Sequence, residues 1–341
     1  MNNPLQRALL PTLSILLAIL LNALIISATG TNPVMVAERI VHATLDSPYG
    51  TGQALFKATT LLFSALAVAI PFHLKLFNIG AEGQLQMGAI AAAICGAALP
   101  SNITPWAAIP ICVLAAMATG AGWASIAAIL KIRYRVSEVI STIMLNFIAQ
   151  GVSGYLLFHH FAVPSTAHSA PIAPGAAIPP LSELYGWFPS SPVNPSMFAA
   201  IALALFFWAV LYRTRHGLEM RASGLQPLAA KRAGINPARH TLLAMALGGA
   251  SAGLGAANLV LGYKGYYEAG MTTGAGFSGI ATALLAAAHP LWVMASALFM
   301  GLLEYGGLAV NSLVPKAIFQ VMTGVTILLV ISATALYRRN D

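Results

Sequence analysis

Charge is the scarcest commodity in this 341-residue chain: Lys, Arg, Asp and Glu together make up 8% of it, against 58% hydrophobic residues. An ordinary soluble domain carries roughly 25% charged residues, so a water-exposed body of this size is excluded. Cysteine is nearly absent. Cys95 and Cys112 both sit inside apolar runs, which excludes a disulfide scaffold and leaves them as small apolar fillers. The chain also lacks a Gly-x-x-x-x-Gly-Lys-Ser/Thr phosphate loop, a His-Glu-x-x-His pair and a Gly-x-Ser-x-Gly elbow. It therefore has no route of those kinds to nucleotide hydrolysis or to nucleophilic catalysis. His159 and His160 are adjacent, without further ligands at metal spacing, and make no zinc site.

What is present is a succession of long apolar runs. About 20 mostly apolar residues cross a bilayer as a helix. Runs of that kind fall at 9–28, 54–74, 84–99, 106–129, 139–158, 197–212, 242–261, 279–288, 291–308 and 317–337. The expectation is an all-α integral membrane protein, a polytopic bundle of about ten transmembrane helices over residues 1–341, with no soluble domain. A barrel would instead show strands of alternating polarity. Arg7 ahead of the first run gives the outline of a signal peptide, but the run exceeds a signal core and many spans follow. It is taken as a retained first span.

The net charge of +8 follows topology rather than nucleic-acid binding. Arg7, the 131–135 loop, the 213–240 loop and the Arg338-Arg339 end hold twelve of the 17 basic residues. Lys/Arg excess marks the cytoplasmic side. Residues 161–196 between the two basic loops hold no Lys or Arg and eight prolines. The 159–196 stretch is accordingly expected to be an external, extended loop. Both termini are then cytoplasmic, which suits an even number of spans.

Polar chemistry concentrates where the apolar runs break. The Phe77–Gly88 segment carries Asn78, Glu82, Gln84 and Gln86, which cannot face lipid, and its glycines at 80, 83 and 88 let the backbone leave helical geometry. Two arrangements are open: a broken helix lining a solute pathway, or a cytoplasmic hairpin with a helix N-terminus and Glu82 near the positive end of its dipole. A second break, Gly262 to Gly279, contains Phe277 and leads to a short helix ending at His289-Pro290. Broken segments in matching halves point to a central transport site, although the two breaks share little residue-by-residue similarity. Glu304 lies in a late span, either bonded between helices or facing a pathway. Gly249 and Gly253 form a Gly-x-x-x-Gly contact of ordinary helix packing. In the long basic loop, Leu218, Arg221, Ala222, Ala229, Ala230 and Ala233 suggest short amphipathic helices on the membrane surface, held by anionic lipid or by a docking partner. No ladder of Asp, Glu or His runs through the spans as in proton-coupled carriers, so an energy source would come from another protein.

These residues resemble a known family. The Phe77–Gln84 stretch, Glu138-Val139-Ile140-Ser141-Thr142-Ile143-Met144-Leu145-Asn146, Gly217–Ile235, and Gly276-Phe277-Ser278-Gly279 through His289-Pro290 are similar, in order, to permease subunits of bacterial ABC importers for nucleosides. Those permeases sit in a group with ribose and branched-chain amino-acid permeases. The chain departs from the pattern at Ser137, where Asn is usual, and at Ala286-Ala287-Ala288, where a glycine-rich turn is usual.

The resemblance implies a subunit without an ATPase and without a cofactor of its own, ATP and Mg2+ being bound by a partner ATPase. It further implies a second permease subunit, a periplasmic or lipid-anchored substrate-binding protein, and a place in the bacterial inner membrane. The solute pathway is expected at Phe77, Asn78, Glu82, Gln84, Asn146, Phe277 and Glu304. Coupling to the ATPase is expected at Gly217, Arg221, Gly224, Ala229, Ala230 and Gly234. The alternatives are a monosaccharide or branched-chain amino-acid permease, or an ion-coupled secondary carrier.

Overall fold

The computed structural model describes residues 17, 19–272 and 274–339. Among them the chain forms helices and two isolated bridges, with no strand. Of the first expected span, only part lies within the described residues, as a helix α1 (Ile19–Ala28), and α2 (Pro33–Leu45) follows it at a bend of 108°. Then come α3 (Pro48–Phe72), α4 (Ala81–Ala98), α5 (Pro105–Tyr134) and α6 (Glu138–Leu156, extended as a π turn to Phe161). A short α7 (Leu181–Tyr185) precedes α8 (Ser196–Arg213), α9 (Arg215–Leu225) and α10 (Pro227–Arg232). The chain ends in α11 (Pro237–Ala256, continued as a π-helix to Lys264), α12 (Ala275–Leu285), α13 (Pro290–Ala309) and α14 (Lys316–Arg339).

Local signals place many of these starts. Proline stands in the first turn of α2, α3, α5, α10, α11 and α13, where its missing N–H costs nothing and its fixed φ suits the helix. Asn32, Ser47, Thr214 and Asn236 cap α2, α3, α9 and α11 through their side-chain oxygens.

Among the described residues, six helices are long and apolar enough to cross a membrane: α3, α5, α6 with its π turn, α8, α11 with its π-helix, and α13, or seven if the bent α1–α2 pair is one span. The expected count of about ten spanning helices is not met on that measure. Two expected spans, 84–99 and 279–288, begin inside the bundle instead of at one of its ends. Gly80, just ahead of α4, lies against Thr142, and Asn78 bonds the carbonyl of Ala67 in the second half of α3. A Cβ on Gly279 of α12 would meet Ser64 at 2.5 Å. Both helices thus start at the level of Ser64–Ala67, with the Gly-rich breaks as their extended arms.

The buried α3 is the hub, packing against α11, α12 and α13. Beside it, α5 and α11 interlock backbone to backbone. A Cβ on Gly249 would lie 2.2 Å from the Gly120 carbonyl oxygen, and one on Gly253 would lie 2.3 Å from that of Ala116. The sequence expectation of a Gly-x-x-x-Gly packing contact holds. Gly249→Val is expected to destabilise the purified protein by about 1–3 kcal/mol, because rigid backbone blocks the new side chain. Thermal unfolding in detergent checks this, and an unchanged midpoint would refute the interlock.

The two ends of the bundle differ. At one, the proline-rich segment is extended as expected but pinned down, through Ala173 N–H to Gly96 O (2.9 Å), Ile172 N–H to Gly265 O (2.8 Å) and Ile178 N–H to Leu261 O (2.8 Å). Asn194 reaches under it to Asn258 (2.9 Å), which in turn donates to Phe56 O and Thr60 Oγ1. This buried network was not anticipated from sequence. At the other end lie the basic loops. There α12 turns into α13 through Ala287 and Ala288, both left-handed at φ +49° and +59°. An L-residue in that region costs roughly 1–2 kcal/mol. Because Ala287 is exposed, Ala287→Gly loses no packing and is expected to stabilise the protein by about 0.5–1 kcal/mol. The same unfolding measurement reads it out.

Candidate functional site

The first break is a peptide segment that must satisfy its own backbone. Lys75, at φ +60°, reverses the chain at the basic end, and residues 76–80 run back alongside α3. Such irregular backbone survives at membrane depth only with protein partners. Asn78, fully buried, donates to Ala67 O (3.0 Å) and Gln84 Oε1 (3.0 Å). It accepts from Gln84 Nε2 (2.9 Å) and from the Gly80 N–H (3.1 Å). From α6, Thr142 Oγ1 accepts the Ile79 N–H (3.3 Å), and Asn146 donates to Ile79 O while accepting the Gly83 N–H, both at 2.9 Å. Asn78, Gln84 and Asn146 therefore spend their carboxamides holding the break in shape.

The second break descends from the proline-rich end through Gly265, Gly270 and Gly274, each with φ between +72° and +82°. Glycine is the residue that enters this left-handed region without strain. The segment ends on Glu82. One carboxylate oxygen of Glu82 accepts the Thr272 hydroxyl (2.5 Å) and the Gly274 N–H (3.3 Å), and the other accepts the Gly276 N–H (2.7 Å). Gly276 fits flat against the start of α4, where a Cβ would come within 2.2 Å of the Glu82 nitrogen. Two helix N-termini thus meet inside the bundle, and one carboxylate caps the second while sitting in the first turn of the other. The break lies inside the bundle and not in a hairpin outside it, while Glu82 stands at a helix dipole end as the second alternative had it.

Beside this junction, between α4, α6 and the second break, lies a cavity of about 420 Å3. Glu82, Asn146 and Phe277 line it, with Gln86, Gln150 and Tyr267 among the others. Among the described residues, no Lys, Arg or His contributes to its wall. Gln86 Nε2 donates to the Tyr267 hydroxyl (3.2 Å), which leaves its carbonyl oxygen free for a guest. The cavity opens along an α6 face where Phe147 and Phe158 are exposed. Sequence reasoning placed Gln86 and Tyr267 in the two polar breaks without assigning them to the pathway, and it missed Gln150. The available signal was a carboxamide inside the 139–158 run, where lipid would reject it.

The other expected pathway residues are elsewhere. Phe77 packs edge-on against Phe72 and does not line the cavity. Asn78 and Gln84 are buried away from it. Glu304 lines two neighbouring cavities, of about 290 and 340 Å3, together with Lys57. A Lys264–Glu268 pair (3.0 Å) borders the first of these. Lys57 was a missed intramembrane charge, readable in the 54–74 run.

In the basic loop, Gly224 of α9 seats on the end of α3, where a Cβ would meet Leu74 Cα at 2.5 Å. Arg221 lies over the Tyr212 ring at 5.0 Å. Gly217 packs on the backbone of Val210 and Leu211, and Ala230 is buried while Ala229 is exposed. Gly234, at φ +81°, closes α10 with the Ile235 N–H returning to Ala230 O (3.0 Å). Arg215 bonds Glu219 at 2.9 Å and holds that carboxyl below the usual carboxylate range. Leu218, Leu225 and Leu228 stand exposed on the same loop. The expected amphipathic helices are present, anchored through one face.

A model of the family described as "Branched-chain amino acid transport system / permease component" matches residues 50–331. The chain is 33% identical to the glucose ABC transporter permease protein TsgB13 of Haloferax volcanii, across 95% of this chain and 87% of that protein. It is 31% identical to the guanosine ABC transporter permease protein NupP of Bacillus subtilis, across 97% and 95%. It is also 31% identical to the nucleoside ABC transporter permease protein NupB of Lactococcus lactis, across 96% and 91%.

Proposed function

Because this chain belongs to the branched-chain amino acid transport permease family, we propose that it is a membrane subunit of an ATP-driven importer that passes a nucleoside through the Glu82 cavity. The observation that carries this reading is the wall of that cavity: carboxamides, one carboxylate already held by three donors, aromatic rings and no cationic side chain. Such a wall suits an uncharged solute that is flat on one side and rich in hydroxyls. Exposed rings such as Phe277 and Phe147 offer faces to a base, and Gln86 and Gln150 offer bonds to base edges or ribose. Two nucleoside permeases among the relatives support the same cargo.

Counted with its extended arm, each broken segment makes one full crossing, and these two with the six long helices, α1 and α14 give ten crossings and put both termini on the side of the basic loops. That side is the cytoplasm by its Lys/Arg content, in a bacterial inner membrane. The exposed Leu218, Leu225 and Leu228 on α9 and α10 face it and form the seat for a partner ATPase, which binds ATP and Mg2+. A second permease covers the open α6 face, where a lone Gln150 could not remain in lipid. A binding protein delivers the solute to the proline-rich side.

A monosaccharide is the second reading, favoured by the glucose permease relative. Uptake of labelled guanosine and labelled glucose by the complete importer, with and without ATP, separates the two. Guanosine uptake that requires ATP supports the proposal. ATP-dependent glucose uptake without guanosine uptake moves the cargo to sugars, and solute flux through the chain alone without ATP overturns the importer reading.

A further inference from the structure

The second broken helix packs along α3 and also meets α4 and α13, and three of its contacts lie one below another. At its upper end, Gly276 is bonded to Glu82. Partway down, Gly279 rests on Ser64 and Ala65 of α3, with no room for a side chain between them. Below its lower end, the strained Ala286–Ala288 turn delivers His289, whose ring lies 5.0 Å from that of Tyr212. Tyr212 is also the residue that Arg221 of the cytoplasmic loop covers. Its hydroxyl meets His73 Nε2 at 3.0 Å, and His73 Nδ1 donates to Ala69 O at 2.8 Å, so the ring is fixed to the inner end of α3. One aromatic ring thus joins the loop, the hub helix and the foot of α12.

We propose that α12 is a lever: Tyr212 transmits displacement of the α9 loop to His289, α12 tilts on the Gly279–Ser64 contact, and its upper end separates from Glu82 beside the solute cavity. This rests on the importer reading, since the displacement comes from the ATPase. Geometry favours it in two ways. Helix α12 has 11 residues, roughly 16 Å at 1.5 Å per residue, short enough to move as a rod. Glycine on both sides of Gly274, at 270 and 276, lets the descending arm follow. Gly279 is a tight approach within a longer face that α12 packs on α3, and Ser296 Oγ of α13 donates to Thr282 O at 2.8 Å. Tyr212 is a positioning residue that touches neither solute nor nucleotide.

The test uses the assembled importer with both permeases, the ATPases and the binding protein in lipid nanodiscs. Amide hydrogen exchange is followed over residues 272–279 with and without ATP. In the wild type, ATP is expected to speed exchange of the Gly274 and Gly276 amides roughly tenfold, as their bonds to Glu82 open. Tyr212→Ala is expected to keep hydrolysing ATP while that acceleration disappears and uptake per ATP falls about tenfold. Tyr212→Phe keeps the ring between Arg221 and His289, and should behave as wild type in both readouts. If Tyr212→Ala does not assemble, His289→Ala removes the lower contact alone and should give the same loss. An ATP-driven change at 272–279 that persists in either alanine variant overturns the lever, as does a wild type that transports without any such change. A wild type with no associated ATPase and no ATP-dependent uptake overturns the importer reading itself.

Discussion

Glu82→Ala is expected to abolish uptake and to destabilise the purified protein on the order of 3–6 kcal/mol. The mutation strips the acceptor from the Thr272 hydroxyl and from the Gly274 and Gly276 amides at once. Each donor left unpaired in a buried site costs about 1–3 kcal/mol. It also removes the one negative charge near two converging helix N-termini, each worth roughly half a positive charge. Glu82→Gln keeps the shape and one acceptor oxygen but turns an NH2 toward a neighbour that also donates. It should fold, with uptake reduced roughly tenfold, about 1.4 kcal/mol of lost interaction. Solute uptake at matched expression, with thermal unfolding in detergent alongside, measures both effects. Normal uptake by Glu82→Ala would show that the junction is not part of the pathway.

Gly276→Ala should be nearly as damaging from a single methyl group. Its Cβ would stand 2.2 Å from the Glu82 nitrogen and 2.3 Å from the Glu82 Cα. Both are backbone atoms, so no rotamer change relieves the clash, and the two broken helices must part. The overpacking penalty is about 1–3 kcal/mol, to which the loss of the Gly276–Glu82 bond adds. Uptake should be lost, and the Glu82 cavity should change shape. Gly122→Ala is the matched control, because nothing lies within 4 Å of a Cβ there, and it should leave unfolding unchanged. If the two substitutions behave alike, the close approach of the two N-termini is wrong.

The contrast between what the sequence conveyed and what it withheld has physical causes. Apolar periodicity and length found the α3, α5, α6, α8, α11 and α13 spans because each run is long and its boundaries carry prolines or caps. The same signal could not tell that 84–99 and 279–288 start mid-bundle, since a half-span and a full span are equally apolar. The residue types flagged the Glu82 junction correctly as a place where polar groups need partners. They could not say which groups serve a solute and which serve the backbone. Asn78 and Gln84 were placed on the pathway by polarity, but their four mutual and backbone bonds are consumed in holding the break. Glu82, Asn146 and Phe277 reached the cavity wall because they flank the breaks. The pairing of Tyr267 with Gln86 escaped notice because it spans 181 residues of sequence, a distance no local pattern encodes. The family resemblance drawn from four ordered motifs agrees with the match over residues 50–331.

The backbone interlock of α5 and α11 carries a consequence for motion. Helices that mesh through Gly120, Gly249 and Gly253 have no side-chain cushion to shear, so they behave as a stator against which the remaining parts turn. Their amides should be the last in the molecule to exchange with solvent, in every nucleotide state. Inhibitors wedged against that fixed block would have nothing to jam, whereas a molecule lodged under the foot of α12 would stall the machine.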